Sequence, residues 1–246
     1  MISDHAPPWA VVDATWPPAA QQVLGPWTIR QGLGGGKRVS AASAEQTVGS
    51  DEIDAAEAAM KDLGQPALFS IRDKAQPAQQ NLDDQLATRG YECVDPTNFY
   101  SAPLAAIATE TPPRVSMFSV WEPLEIQREI WAAGGIGPAR QTIMQRAQGP
   151  KTSLLMRWDD HPAGTGFVAI HGSIAMVHAL EVLPHQRRKG VACWAMRQAA
   201  FWAQSQGAST LTVLCTQENF AANQLYGSLG MQLVGQYHYR MKKELS

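Results

Sequence analysis

No run of about 18 consecutive apolar residues occurs in the chain, so no membrane-spanning helix is expected. Cysteine is scarce. Cys93, Cys193 and Cys215 stand far apart, with no CxxC and no His/Cys cluster at metal-ligand spacing. That excludes a disulfide framework and a zinc ribbon; it predicts three reduced, mostly buried thiols and no metal. Charge is scarce too. Asp, Glu, Lys and Arg make up 17% of 246 residues and the net charge is −2, so no strong field of one sign draws in nucleic acid or anionic lipid. Residues 1–8 lack a basic segment followed by an apolar run, so no secretory leader is expected and the cytoplasm is the expected location. Apolar residues, by contrast, reach 45%, with 8 Trp and 16 Pro, enough for a real core and unlike a disordered chain. The length allows one large domain or two of roughly 100–150 residues.

Along the first half, residues 11–15 suggest a short helix stopped by Pro17-Pro18. Residues 27–30 and 37–42 suggest strands joined by the turn Gly32-Leu33-Gly34-Gly35-Gly36, a hairpin. A helix over 53–63 ends at Gly64, a buried strand spans 67–72, a helix over 79–88 stops at Gly90, and 91–101 returns as one or two strands. The proline-bearing stretch 103–114 is the candidate linker. The second half shows strands at 115–121, 153–158, 166–170, 174–183, 210–216 and 234–241. Helices are expected at 125–133, 139–148, 191–206 and 220–229. This mixture predicts an α/β (or α+β) fold, a mixed sheet covered by helices on both sides. The two halves echo each other, Leu82 to Tyr91 against Ala222 to Met231. Each is a helix ending in glycine before a bulky residue that opens a strand. Two related halves, residues 1–110 and 115–246, are therefore expected.

The chemistry concentrates around residues 180–192. A strand leads into a loop holding Arg187, Arg188, Lys189 and Gly190, and a helix opens at Val191 and Ala192. The first N–H groups of a helix have no intrahelical partner and its dipole adds positive potential, so such a loop suits a pyrophosphate. Taken alone, it reads equally as a solvated basic loop.

Arg187-Arg188-Lys189-Gly190-Val191-Ala192 resembles the Gln/Arg-x-x-Gly-x-Gly/Ala loop of the GCN5-related N-acetyltransferases (GNAT). Asn219-Phe220-Ala221-Ala222-Asn223-Gln224-Leu225-Tyr226, followed by Gly230-Met231, is similar to that family's Asn-x-x-Ala-x-x-Leu-Tyr-x-x-x-Gly-Phe/Met pattern. The resemblance covers roughly 115–246 and implies a GNAT-like fold with a central twisted mixed sheet, acetyl-CoA as co-substrate, and a small-molecule or peptide amine as acceptor. It implies that the backbone N–H groups from about Arg188 to Ala192 bind the pyrophosphate, with Arg187 and Arg188 adding side-chain charge. It further implies that the strand before the loop splays from its neighbour, with a bulge near residues 180–182 and with Leu180 and Val182 bonding the pantetheine arm. Tyr226 would supply a proton or hydrogen bond to the leaving thiolate, or else simply pack before the helix stop. Asn219 would cap its helix, hold the cofactor, or both. His178 is the favoured base for the amine, against a merely packed histidine, with Glu181 the weaker candidate; their odd spacing predicts opposite faces.

The first half does not repeat these motifs. Leu86 stands where Tyr226 would, Gln79 where Asn219 would, and the gap from Gly34 to Gln79 is 45 residues against 29 from Gly190 to Asn219. The glycine-rich loop is read as a hairpin turn, and the first half as a degenerate partner without a cofactor site. The resulting expectation is an N-acetyltransferase working by direct attack. The alternative is a non-catalytic acyl-CoA-binding or partner-binding module that keeps the cofactor site.

Overall fold

The structure is a computed structural model and describes residues 9–242. In chain order its elements are α1 (Trp9–Thr15), β1 (Ala20–Leu24), β2 (Trp27–Gln31), α2 (Lys37–Ser40), β3 (Ser43–Ala44), α3 (Ser50–Asp62), β4 (Leu68–Ile71), α4 (Pro77–Thr88), β5 (Tyr91–Pro103), α5 (Leu104–Ile107), β6 (Met117–Val120), α6 (Glu125–Ala133), α7 (Pro138–Arg146), β7 (Lys151–Trp158), β8 (His161–His171), β9 (Ile174–Val182), α8 (Val191–Ser205), β10 (Thr210–Thr216), α9 (Phe220–Ser228) and β11 (Gln232–Lys242).

Eight strands form one mixed sheet in the order β4-β11-β5-β10-β9-β8-β7-β6, and β1-β2-β3 form a small second sheet. The β9–β10 pair is parallel. β5 comes from the first half of the chain yet lies between β10 and β11, pairing antiparallel with both. The two halves therefore share one sheet. The small sheet is joined to it through Ala42, which bridges β4.

Side chains alternate across the sheet and define two cores. Leu154, Met156, Val168, Ile170, Val177 and Val213 face α8. That helix turns Val191, Ala195, Met196, Ala199, Ala200 and Ala203 inward, a stripe of small residues that lets it sit close. The other face carries Phe167 and Ala169 beneath Trp131, Ile143 and Trp16 from α6, α7 and the end of α1.

Three expectations differ from this fold. The stretch 37–42 is not a returning strand: Lys37–Ser40 is a short helix, and β2 pairs with β1 instead. The glycines serve contact rather than a hairpin. A Cβ on Gly35 would stand 2.6 Å from Ile143 Cδ1 and 2.9 Å from the Gly32 carbonyl, and Gly36 has a φ of +95°, so side chains are poorly tolerated where the loop meets α7. The stretch 103–114 is not a plain linker, because Leu104 and Ile107 of α5 are buried in the main core. The cysteines also differ: Cys215 is buried, Cys193 half-buried and Cys93 exposed.

Buried ion networks fix the first half onto this frame. Asp13 of α1 pairs with Arg30 and Arg72 at 3.1 Å each, and Arg30 also donates to the Ala41 carbonyl and Ser43 Oγ. Asp83 of α4 is fully buried and meets Arg240 Nε at 2.6 Å, His238 Nε2 at 2.7 Å and Lys74 Nζ at 2.8 Å. Burial alone would raise its pKa, but Arg240, Lys74 and His238 outweigh burial and hold the carboxyl well below the usual range. The depressed pKa contributes stability above the unfolded value of about 3.9, and that contribution is lost as pH falls further. Asp83→Ala should cost about 3–5 kcal/mol at pH 7, measured by urea unfolding. The difference from wild type should shrink as pH is lowered from about 4 toward 2.

Candidate functional site

The site begins where β9 leaves β10. The two strands pair from Thr210↔Ile174 to Val213↔Val177 and no further. β10 itself continues alongside β5 to Thr216. The cause lies in β9. Against β8, Phe167 pairs with His178 and Thr165 with Glu181, so Ala179 and Leu180 together oppose Gly166 alone. This is a β-bulge, and Ala179 takes a left-handed φ of +50° within it. Trp131 Nε1 donates to the Ala179 carbonyl at 2.8 Å and holds the kink. The bulge sits at the N-terminal edge of the expected range. Leu183 N–H bonds β8 through the Ala163 carbonyl, so strand alternation turns the N–H groups of Val182 and Leu180 to the open edge. The Val182 carbonyl on that edge accepts from Arg187 Nε at 2.9 Å.

The bulge also changes a face. It inserts one residue between His178 and Glu181, so both lie on the same side of the sheet, not on opposite sides.

The gap opens into a cleft of about 1120 Å³ that runs from the start of α8 to the first half of the chain. At one end lie Arg187, Arg188, Gly190, Val191 and Ala192. Gly190 precedes α8 with φ +79°, a left-handed backbone that suits glycine, and α8 directs its first N–H groups at this end. Arg188 also has positive φ, at 62°. Arg187 folds back onto Glu181 at 3.1 Å. Lys189 lies outside the cleft: its Nζ is tied to Asp159 at 2.8 Å and to Gln186 at 3.1 Å.

Along the cleft wall stands Tyr226, 4% exposed, its ring tilted against Tyr100 at 5.6 Å. Its hydroxyl has no hydrogen-bond partner among the described residues. Burial and then Cys215 raise its pKa, so the phenol keeps its proton at neutral pH. Cys215, at the same wall, is pushed by burial to about 11 and is a neutral thiol. Asn219 caps α9: its Oδ1 accepts from Ala222 N–H at 3.1 Å, and the residue also lines the cleft.

His178 lines the cleft and is 4% exposed. Thr15 donates its hydroxyl to the Val11 carbonyl, so His178 Nε2–H donates to Thr15 Oγ1 at 2.9 Å. Nδ1 must then accept, and Arg38 Nη1 donates to it at 3.1 Å. Burial first, and Arg38 second, hold its pKa well below 6.5. An imidazole whose lone pair is already taken by a guanidinium does not suit the expected role of base. It links α1 to Arg38.

Sequence reasoning did not single out Arg38, Thr15 or Asn223. Asn223 Nδ2 donates to the Thr216 carbonyl at 2.9 Å, while its Oδ1 accepts from Asn98 at 2.8 Å and Tyr100 at 3.0 Å. It ties α9 to β5. The contacts to Asn98 and Tyr100 span 123 residues or more in sequence, and no local spacing signals them. Among the described residues no group of three or more His, Cys, Asp and Glu side chains could hold a metal, and no helix is long and apolar enough to cross a membrane.

Comparison with known proteins agrees with this geometry. The sequence model described as "Acetyltransferase (GNAT) family" matches residues 119–231. The chain is 28% identical over 241 residues to "Uncharacterized N-acetyltransferase YobR" of Bacillus subtilis (strain 168), covering 94% of this chain and 95% of that one. In fold it is similar to a GCN5-related N-acetyltransferase from Kribbella flavida, with TM-score 0.68, 18% identity and coverage of 94% and 92%. It is also similar to a tandem GNAT protein from the clavulanic acid biosynthesis pathway, with TM-score 0.60, 11% identity and coverage of 93% and 85%.

Proposed function

The chain belongs to the GNAT superfamily of acyltransferases, and from that premise we propose that it moves an acetyl group from acetyl-CoA to the amine of a small molecule or peptide by direct attack. The observation that carries this reading is the parting of β9 and β10 after Val177 and Val213, which opens onto the start of α8. A pantetheine arm needs such a slot with unpaired strand groups, and a pyrophosphate needs the free N–H groups beyond it.

In this reading the backbone from Arg188 to Ala192 holds the pyrophosphate and Arg188 adds charge. Arg187 braces the end of β9, and Lys189 fixes the loop to the 159–160 turn. Leu180 and Val182 offer N–H groups to the pantetheine arm. Acetyl-CoA supplies an activated thioester. The amine nitrogen bonds to its carbonyl carbon, the C–S bond breaks, and Tyr226 gives the leaving sulfur a proton. The amine's own proton leaves through water, with Glu181 the carboxylate on the right face to take it. His178 acts as a positioning residue for Arg38. The first half walls the acceptor end without a cofactor site of its own.

The test is thiol release from acetyl-CoA over a panel of amines. Amine-dependent release supports the reading. Tight CoA binding with no release on any amine would support the non-catalytic alternative.

A further inference from the structure

The far end of the cleft has unbalanced charge. Its charged groups are Lys37, Arg38, Asp95 and Arg140, with Glu181 beside Arg187 and Arg188 toward the opposite end. Lys37 pairs with Asp95 at 2.9 Å, and Glu181 with Arg187 at 3.1 Å. Arg38 and Arg140 have no carboxylate partner among the described residues. Arg38 is the more telling. Its Nη1 is on His178, the Tyr237 and Tyr239 hydroxyls lie within hydrogen-bond reach of the guanidinium, its Nε is buried without a partner, and the guanidinium lies 5.9 Å from the Trp16 ring centre. A guanidinium stays charged, and a charge removed from water without a counterion is costly. The guanidinium of Arg140 lies against Gly36, two residues before Arg38. Both therefore border the same end of the cleft.

We propose that the acceptor is an amine that also carries a carboxylate, seated on Arg38 and Arg140 with its amine turned toward the parting of β9 and β10. The reach fits. Arg38 touches His178, and the next residue, Ala179, begins the bulge at which the strands separate. A carboxylate on Arg38 thus places a nearby amine at the slot. The guanidinium fork matches a carboxylate in two parallel hydrogen bonds. A dicationic or simple alkyl amine would leave Arg38 without an anionic partner. The proposal rests on the acyltransferase reading and names the substrate class of that site.

The experiment uses the full chain. Binding is measured by calorimetry with CoA present, and turnover by thiol release. The probes are the twenty standard L-amino acids, β-alanine and 4-aminobutyrate, each against its amide and its decarboxylated amine, together with O-phosphoethanolamine. At least one amino carboxylate should exceed its amide and amine by about 100-fold in affinity or kcat/KM. Arg38→Met should reduce that preference to a few-fold. Arg140→Ala, at an exposed position that leaves folding alone, should weaken it about tenfold, and Arg38→Lys should retain part of it. KM for acetyl-CoA should hold within about twofold. The proposal is overturned if no amino carboxylate in the panel is preferred, if the phosphate amine or neutral amines are preferred, or if the preference survives both Arg38→Met and Arg140→Ala. Preferential binding without thiol release would instead overturn the acyl-transfer reading and leave the carboxylate seat standing.

Discussion

Tyr226→Phe should lower kcat for acetyl transfer by about 10²–10³-fold and leave KM for acetyl-CoA nearly unchanged. The phenol is well suited to this one task. It is buried, keeps its proton because burial raises its pKa, and spends its hydroxyl on no other described group. Removing the hydroxyl takes away a proton donor and leaves the ring. Phenylalanine keeps the packing on Tyr100 and in the main core, so stability should change little. Equal stability by thermal unfolding, together with the fall in kcat, separates a chemical role from a structural one. A packing tyrosine would give the opposite pattern, an unchanged kcat.

Gly190→Glu should weaken acetyl-CoA binding by at least about 100-fold. Two effects add. The left-handed φ of +79° costs a non-glycine residue about 1 kcal/mol or more, or the loop shifts. The new carboxylate would then face a pyrophosphate at close range, where like charges cost further. Roughly 1.4 kcal/mol is a factor of ten, so about 3 kcal/mol together gives the stated loss. The fold has room for the change: a Cβ at Gly190 would meet only Trp194 Nε1, at 3.9 Å. Loss of binding with retained thermal stability is the expected result, measured by calorimetry.

The elements at the proposed cofactor end were legible because their signals are local. Gly190 and Asn219 sit at helix starts, and the order of strand, loop and helix follows from residues within a few positions of each other. The acceptor end was not, for physical reasons. The glycines at 34–36 look like a hairpin turn in sequence, but the closest approach, of Gly35 to Ile143, is to a residue more than 100 positions away. The faces of His178 and Glu181 followed from simple alternation until one bulged residue reversed the parity. The placement of β5 between β10 and β11 joins strands over 100 residues apart and leaves no periodic trace in either. Arg38 carried no motif. Its proposed role comes from what surrounds it: a neutral histidine, a tryptophan face, two tyrosine hydroxyls and no carboxylate.

The echo between the halves supports a shared origin as a proposal, and it bears on function. If the first half is silent, all cofactor chemistry falls on one site. Its loop at 32–36 leads into a helix of only four residues, too short to form a second site like that of α8. The cleft draws instead on the first half for Trp16, Arg38 and Asp95.

Calorimetric titration of CoA into the wild-type chain distinguishes one cofactor site from two or none. One CoA should bind per chain, with that single site lost in Gly190→Glu. Two CoA per chain, none, or a stoichiometry and affinity unaffected by Gly190→Glu would contradict it.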